Sequence, residues 1–551
     1  MKTSRIIKPL VGLAAMIAAA ATANAAVPEV KAVPGEFIVK MKQAVDTSSI
    51  KSLSASLNAE GAEIVSEKGK VLLVKRNQLE TAGFSMNALK NSGLVEYVEP
   101  NYIYNALNLP DDPMMDQLWG LINEGQSVGD LGEGTPDMDI DAEKAWSITT
   151  GSEDIVVAVI DTGVDYRIAD LAPNMWANQA ELNGQPGVDD DGNGFVDDVY
   201  GYDFVNNDGD PLDDHGHGSH CSGTIGARGN DANGIVGVAW NVKIMGLKFL
   251  SASGSGSLDA AVRAIDYAVA NGANIMSNSW GGGPRSEALL EAIQRANEAG
   301  VSFIAAAGNH SANNDASPTY PANYEVDNVI SVAAIDNRGQ LASFSCYGST
   351  TVHVAAPGVD ILSTTPDGFK SWRGTSMATP HVSGVAALLL AQEPNLSPAE
   401  IRERIVFSAR PKATLRNKVA SNGIVNAYHA LTNTAAPIDL MDPYFWPQEA
   451  AEHSTAHPYA DNANESITFT KEGAEYIAVH FSRFETEGGY DFVIFKDAEG
   501  AEVARWSGTY DDSFSPSVPG DTIIIEFVSD SSVTKYGFDI DGIAFREAEG
   551  E

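Results

Sequence analysis

The stretch that most limits the possible folds is Ile155-Val156-Val157-Ala158-Val159-Ile160, followed at once by Asp161-Thr162-Gly163. Six consecutive apolar residues, five of them β-branched, leave no polar face. Such a strand must be covered on both sides, as in a parallel sheet layered between helices. A carboxylate directly after it lies at the C-terminal edge of that sheet, where open α/β folds build their sites. Strand-like runs at 243–247, 275–278, 302–307 and 329–333 alternate with helical runs at 258–270 and 286–299, which predicts an α/β domain with helices on both faces of a parallel sheet.

Two further stretches supply chemistry. Arg373-Gly374-Thr375-Ser376-Met377-Ala378-Thr379-Pro380-His381 reads as a tight turn opening a buried helix. A serine there is either an N-cap or a nucleophile held at a positive helix end. Asp214-His215-Gly216-His217-Gly218-Ser219-His220-Cys221 opens a second helix of small residues, starting at His217. Asp161, His217 and Ser376, in that chain order, resemble the subtilisin-like serine proteases through Asp-Thr-Gly, His-Gly-Ser-His and Gly-Thr-Ser-Met-Ala. The resemblance covers roughly residues 112–432. It implies a subtilisin-like fold, with Ser376 as nucleophile, His217 as general base and Asp161 orienting the imidazole.

By the same resemblance, Asn309, after the small strand residues 305–308, would form the oxyanion hole with the Ser376 N–H. An extended protein or peptide substrate would pair with Ser279-Trp280-Gly281 and with the loop around Gly254. Ala306 and Gly308 would wall the specificity pocket, with Thr319 near its floor. These stretches carry no carboxylate, which argues against strict preference for basic side chains. Trp280 stands where the family usually has an aliphatic residue, and would narrow the pocket or shape the next subsite. A lipase or esterase would carry its nucleophile in Gly-x-Ser-x-Gly with the order Ser-Asp-His, whereas Ser376 stands in Gly374-Thr375-Ser376-Met377-Ala378 and comes last of the three. An inactive scaffold displaying the C-terminal module is disfavoured by the complete triad and Asn309.

Calcium is the expected cofactor. Residues 189–198, Asp-Asp-Asp-Gly-Asn-Gly-Phe-Val-Asp-Asp, carry Asp189, Asp191, Asn193 and Asp197 at positions 1, 3, 5 and 9 of an EF-hand-like loop. Phe195 stands at position 7, where such a loop uses its carbonyl, and the Glu at position 12 is missing. A second oxygen-rich run contains Asp210. Asp170 and the loop 230–234 resemble another calcium site of the family; this loop is one residue longer than in subtilisin, which leaves Asp231 and Asn233 as alternatives.

Around this domain the chain divides further, as 551 residues lead one to expect. Residues 1–25 read as a secretory signal, with Lys2, Arg5 and Lys8 before an apolar run and Ala23-Asn24-Ala25 at its end. Export as a secreted enzyme follows. Residues 26–110 form a β-α-β-β-α-β pattern, a ferredoxin-like α+β unit. It is similar to subtilase propeptides, which makes it an intramolecular inhibitor, released at a bond between Tyr104 and Asp112 that the sequence does not fix. Residues 111–432 are the catalytic domain and 433–451 a linker. Residues 452–551 hold short alternating strands, an all-β sandwich that resembles a CUB-type domain through Tyr490-Asp491-Phe492 and Phe527-Val528-Ser529-Asp530, without its usual disulfides. In calcium-binding members, acids matching Glu485, Asp491 and Asp530 hold the ion. The net charge of −39 argues against nucleic acid and anionic membranes as partners. No run suits membrane insertion, and a monomer is expected. Cys221 and Cys346 are expected as free, buried thiols.

Overall fold

The computed structural model describes residues 32–42, 61–66, 70–75, 95–102, 109–129 and 131–547. The expected signal and the expected prodomain helices at 48–59 and 86–92 lie outside the described residues. The chain divides into two compact units, 1–108 and 109–551.

The first unit contains β1 (Ala32–Met41), β2 (Gly61–Ser66), β3 (Val71–Lys75) and β4 (Val95–Tyr102). They form one antiparallel sheet in the order β2-β3-β1-β4. This is the strand order of a ferredoxin-like unit, and Val39, Leu72 and Val74 are buried in it.

In the second unit the strands are β5 (Gly151–Asp161), β6 (Gly201–Asp203), β7 (Asn241–Lys248), β8 (Ile275–Asn278), β9 (Ser302–Ala306), β10 (Val329–Ile335), β11 (Val354–Pro357), β12 (Ile361–Thr365), β13 (Gly368–Trp372), β14 (Arg410–Pro411) and β15 (Gly423–Ile424). Nine of them form one sheet in the order β14-β15-β11-β10-β9-β8-β5-β7-β6, parallel except where β14 meets β15. The helices are α1 (Ala142–Trp146), α2 (Gln179–Leu182), α3 (His217–Gly226), α4 (Leu258–Ala270), α5 (Glu287–Glu298), α6 (Thr375–Gln392), α7 (Pro398–Ser408) and α8 (Ala427–Thr432).

The two-sided cover expected for β5 is visible residue by residue. Ile155, Val157 and Val159 enter the core that includes α6, while Ala158 and Ile160 enter the one that includes α4 and α5. A period of two thus feeds two apolar layers from one uninterrupted run. Helix α6 is buried around nearly its whole circumference (Ala378, Val382, Val385, Leu388 and Leu389), so it needs no amphipathic pattern. Helix α7 begins with a capping box, Ser397 with Glu400.

Beyond α8 the structure departs from a plain linker. Asp442 and Trp446 are buried, and Asp442 accepts the Ala413 N–H of the α/β domain at 3.2 Å. The Tyr444 ring lies under Arg416 at 4.8 Å and edge-on to Phe514 at 4.8 Å. The first strand of the C-terminal module, β16 (Gln448–Ser454), begins inside the expected linker. It is followed by β17 (Asn464–Thr470), β18 (Ala474–Glu485), β19 (Phe492–Lys496), β20 (Glu502–Trp506), β21 (Ser513–Phe514), β22 (Val518–Pro519), β23 (Thr522–Val528) and β24 (Gly537–Glu547). One sheet runs β16-β24-β18-β21, with β22 also on β18, and the other runs β17-β23-β19-β20. Phe481, Phe484, Phe495, Phe527 and Phe538 fill the shared core. That arrangement is the expected all-β sandwich.

Candidate functional site

Asp161 ends β5 and is fully buried, His217 begins α3, and Ser376 lies in the first turn of α6. Three distant segments therefore meet at the C-terminal edge of the sheet. His217 Nδ1 is 2.7 Å from Asp161 Oδ1. The carboxylate accepts only, so Nδ1 carries the proton and Nε2 keeps its lone pair. Burial disfavours the imidazolium, but the charge and hydrogen bond of Asp161 outweigh it, with Asp213 adding in the same direction. The His217 pKa is raised above the ordinary value as a result. Gly218 is required here: a Cβ would come within 2.0 Å of the Gly163 oxygen.

The Ser376 hydroxyl donates to the Ser279 carbonyl at 3.0 Å, and the Ser279 hydroxyl donates back to the Ser376 carbonyl at 2.9 Å. In this state the nucleophile candidate is thus hydrogen-bonded to the Ser279-Trp280-Gly281 segment. Catalytic hydrogen bonds are commonly loose before substrate binds.

Asn309 is oriented by its neighbour. Its Oδ1 accepts the Thr375 N–H at 2.8 Å and the Thr375 hydroxyl at 2.9 Å. A backbone N–H can only donate, so Oδ1 is the atom that faces it, and Nδ2 remains as a donor on the other side. Gly374 has φ 153°, and a Cβ there would lie 3.4 Å from Asn309 Nδ2. Glycine keeps open the space between that amide and the start of α6.

The remaining substrate candidates line the same edge. Gly254 lies in a turn closed by its N–H to Ser251 and faces the His215 ring. Trp280 packs on Phe249 with ring centres 4.8 Å apart, and its indole nitrogen is buried without a partner. Gly281 approaches the Tyr320 carbonyl and the Thr319 side chain, and Ala306 ends β9. The Thr319 hydroxyl donates to Asn314 at 3.2 Å and is 3.4 Å from His310. His310, beside Gly308 with Cys346, was not foreseen. Nor was Trp372, which arrives on β13, stacks flat on His220 at 4.8 Å and covers His217 at 6.2 Å. Both cysteines are free and buried, as expected.

Among the described residues, two acidic groups outside the triad bring carboxylate oxygens within 4.8 Å of one another: Glu181, Asp189 and Asp191, and Glu487, Asp491 and Asp530. In the first loop, Asp197 accepts the Gly187 N–H and Asn193 donates to Asp191 and Asp198. The Phe195 ring packs on Tyr202 and Tyr267. Buried Glu181 was not foreseen; it accepts the N–H groups of Asp190 and Asp197. In the second run, Asp210 accepts the Tyr166 hydroxyl at 3.1 Å.

The Asp170 carboxylate meets Asn233 and the Ile235 N–H, while Asp231 accepts the Asn233 N–H. Burial, with the nearby Asp231 charge adding, raises the Asp170 pKa above its usual range. Asp112, also unforeseen, joins this loop through Asn230 at 2.8 Å, and its Oδ1 is buried without a partner. Burial raises its pKa too, again with Asp231 adding. A hard cation would relieve such crowding.

In the C-terminal module the structure brings Glu487, rather than Glu485, to Asp491 and Asp530. Glu485 faces Lys535 and Arg483 at 3.9 and 4.0 Å. Glu487 Oε2 is buried without a partner, so this acid set fits a divalent cation.

A model described as "Subtilase family" matches residues 152–430, and one described as "Fervidolysin N-terminal prodomain" matches residues 18–101. The thermophilic serine proteinase of Bacillus sp. (strain AK1) is 38% identical over 406 residues, covering 73% of this chain and 88% of that protein. Thermitase of Thermoactinomyces vulgaris is 40% identical over 293 residues, covering 53% and 93%. A solved protease structure from Pseudoalteromonas arctica matches at 29% identity with a TM-score of 0.49, covering 59% of this chain and 99% of that one. The chain belongs to the subtilase family and is a subtilisin-like serine endopeptidase with an N-terminal prodomain.

Proposed function

We propose that this is a secreted, calcium-stabilised endopeptidase made as a self-processing precursor: signal 1–25, inhibitory prodomain 26–110, catalytic domain 111–432, connecting segment 433–451 and CUB-like module 452–551. The observation that carries the reading is the 2.7 Å Asp161–His217 bond beside a serine at the start of α6, with Asn309 turned by Thr375. Substrate enters as an extended strand beside residues 279–281 and the loop at Gly254. Ser376 Oγ rotates from the Ser279 carbonyl toward His217 Nε2, gives up its proton there and attacks the scissile carbonyl carbon. The carbonyl electrons move onto oxygen, which takes hydrogen bonds from Asn309 Nδ2 and the Ser376 N–H. The intermediate collapses, His217 protonates the leaving amine, and an acyl-enzyme remains. Water then repeats the sequence and frees the acid. Asp161 stays ionised throughout and stabilises the imidazolium.

Calcium would be held by Asp189, Asp191 and Glu181 in the first loop and by Asp112, Asp170 and Asp231 near the start of the mature chain. Glu487, Asp491 and Asp530 would hold it in the module. The ion supplies no chemistry to the reaction; it neutralises crowded carboxylates and ties loops together. The test of the nucleophile is Ser376→Ala in the full chain. A folded precursor that retains its prodomain at low concentration is expected, and normal processing would refute both self-cleavage and the role of Ser376.

A further inference from the structure

Two buried residues beside the triad have no part in the steps above. Thr162 is 1% exposed and Asp213 4%. The Thr162 N–H donates at 2.7 Å to Asp161 Oδ1, the same oxygen that takes His217 Nδ1. Its hydroxyl accepts the N–H of Gly218, the residue after His217, at 2.9 Å. The hydroxyl proton goes to Asp213 Oδ1, also at 2.9 Å. Its carbonyl accepts buried Lys248 Nζ at 2.8 Å. One threonine therefore touches the catalytic carboxylate, the start of the histidine helix and a second carboxylate.

Asp213 is saturated in turn. Oδ1 also takes the N–H groups of His215 at 3.0 Å and Gly216 at 2.7 Å, and Oδ2 takes the Ser219 N–H at 2.9 Å and hydroxyl at 2.7 Å. Every partner is a donor, so only an ionised carboxylate fits; a neutral acid or an amide would set hydrogen against hydrogen. The charge lies at the N-terminus of α3, where the helix dipole and free N–H groups favour an anion. The loop that delivers His217 is thus wrapped around one carboxylate. That carboxylate also sets the direction of the Thr162 hydroxyl and so frees its lone pair for Gly218.

We propose that Asp213, acting through Thr162, is a positioning residue that locks the Asp161 carboxylate and the first turn of the His217 helix into one unit. The effect is on the rate of the acylation chemistry, since neither side chain reaches the substrate strand. This inference rests on the triad reading given above.

The test compares Thr162→Val, which keeps the volume and removes the hydroxyl, with Thr162→Ser, which restores it. Active sites are counted by stoichiometric acylation with a serine-directed inhibitor, so that kcat refers to folded, titratable enzyme. Failure of the triad reading would show as parental protein that takes up no inhibitor, and failure of the positioning idea as titratable variants with parental kcat. Thr162→Val should lower kcat on a short peptide about tenfold with KM within twofold, the size of one lost charge-assisted contact. Thr162→Ser should return kcat to within about threefold. Parental kcat in Thr162→Val, whatever its melting temperature, would reduce the network to a brace of the fold and overturn the proposal. A Thr162→Ser variant as impaired as Thr162→Val would do the same. If Thr162→Val yields no folded enzyme, Ser219→Ala carries the test: lower kcat at unchanged KM supports the proposal, and unchanged kcat overturns it.

Discussion

Thr375→Val isolates the orientation of Asn309 from its presence. The Thr375 hydroxyl accepts the Gly308 N–H at 3.2 Å and donates to Asn309 Oδ1 at 2.9 Å, while the Thr375 backbone N–H holds the same oxygen. Valine keeps the shape and the backbone bond and removes the hydroxyl. A neutral hydrogen bond contributes about 0.5–1.5 kcal/mol net. If that energy only orients the amide for the oxyanion, kcat falls about 2- to 13-fold while KM is unchanged. The Gly308 N–H, left without its acceptor, adds about 1–3 kcal/mol of destabilisation, seen in melting and not in the rate. The assay is steady-state hydrolysis of a short peptide by titrated enzyme, with thermal melting in parallel. Thr375→Ser should match the parent. A Thr375→Val enzyme with raised KM and parental kcat would refute the argument, because the amide would then be serving ground-state binding.

Chelation should lower the melting temperature by about 5 °C for each site held at a hundredfold excess over its Kd, and Glu487→Gln should remove the share of the module; identical melting in calcium and in chelator would exclude structural calcium. Asp315 accepts hydrogen bonds from Ser349, Thr350 and Thr351, which outweigh its burial and lower its pKa to about 2 from 3.8. Its contribution is therefore present above about pH 4 and lost as pH falls toward 2, so Asp315→Asn should flatten the change in melting temperature between pH 5 and pH 2.5. A chain ending at Leu431 should keep parental kcat/KM on short peptides, and be slower on insoluble protein if the module acts as a tether. It should also melt a few degrees lower, since Arg416 and the Ala413 N–H lose Tyr444 and Asp442; unchanged melting would show that this contact is dispensable.

What was legible in the sequence was local. The apolar run before Asp161 and the small-residue starts of α3 and α6 declare their environment within ten residues, and the triad follows from them. What was hidden depends on distant chain meeting distant chain. Asp112 is an ordinary acid in the sequence until it meets Asn230, 118 positions on. Trp372 shields His217 only because β12 and β13 fold back as a hairpin. Glu485 and Glu487 are equivalent as letters. Glu485 is still in β18, paired with Gly537, whereas Glu487 lies beyond the strand end, with its N–H held by the Tyr459 hydroxyl, and reaches Asp491. The segment before β16 looked like a linker because three anchoring side chains, Asp442, Tyr444 and Trp446, carry no periodic signal.

The site draws on strand β5 near one end of the catalytic domain and on helix α6 near the other. During synthesis this has a protective effect. On the proposed assignment, a nascent chain already holding Asp161 and His217 has no nucleophile until Ser376 emerges. It has no ordered oxyanion donor until Thr375 is in place to turn Asn309. Peptide-bond cleavage therefore switches on only after most of the domain has left the ribosome, and a truncated product is a harmless fragment rather than a stray protease.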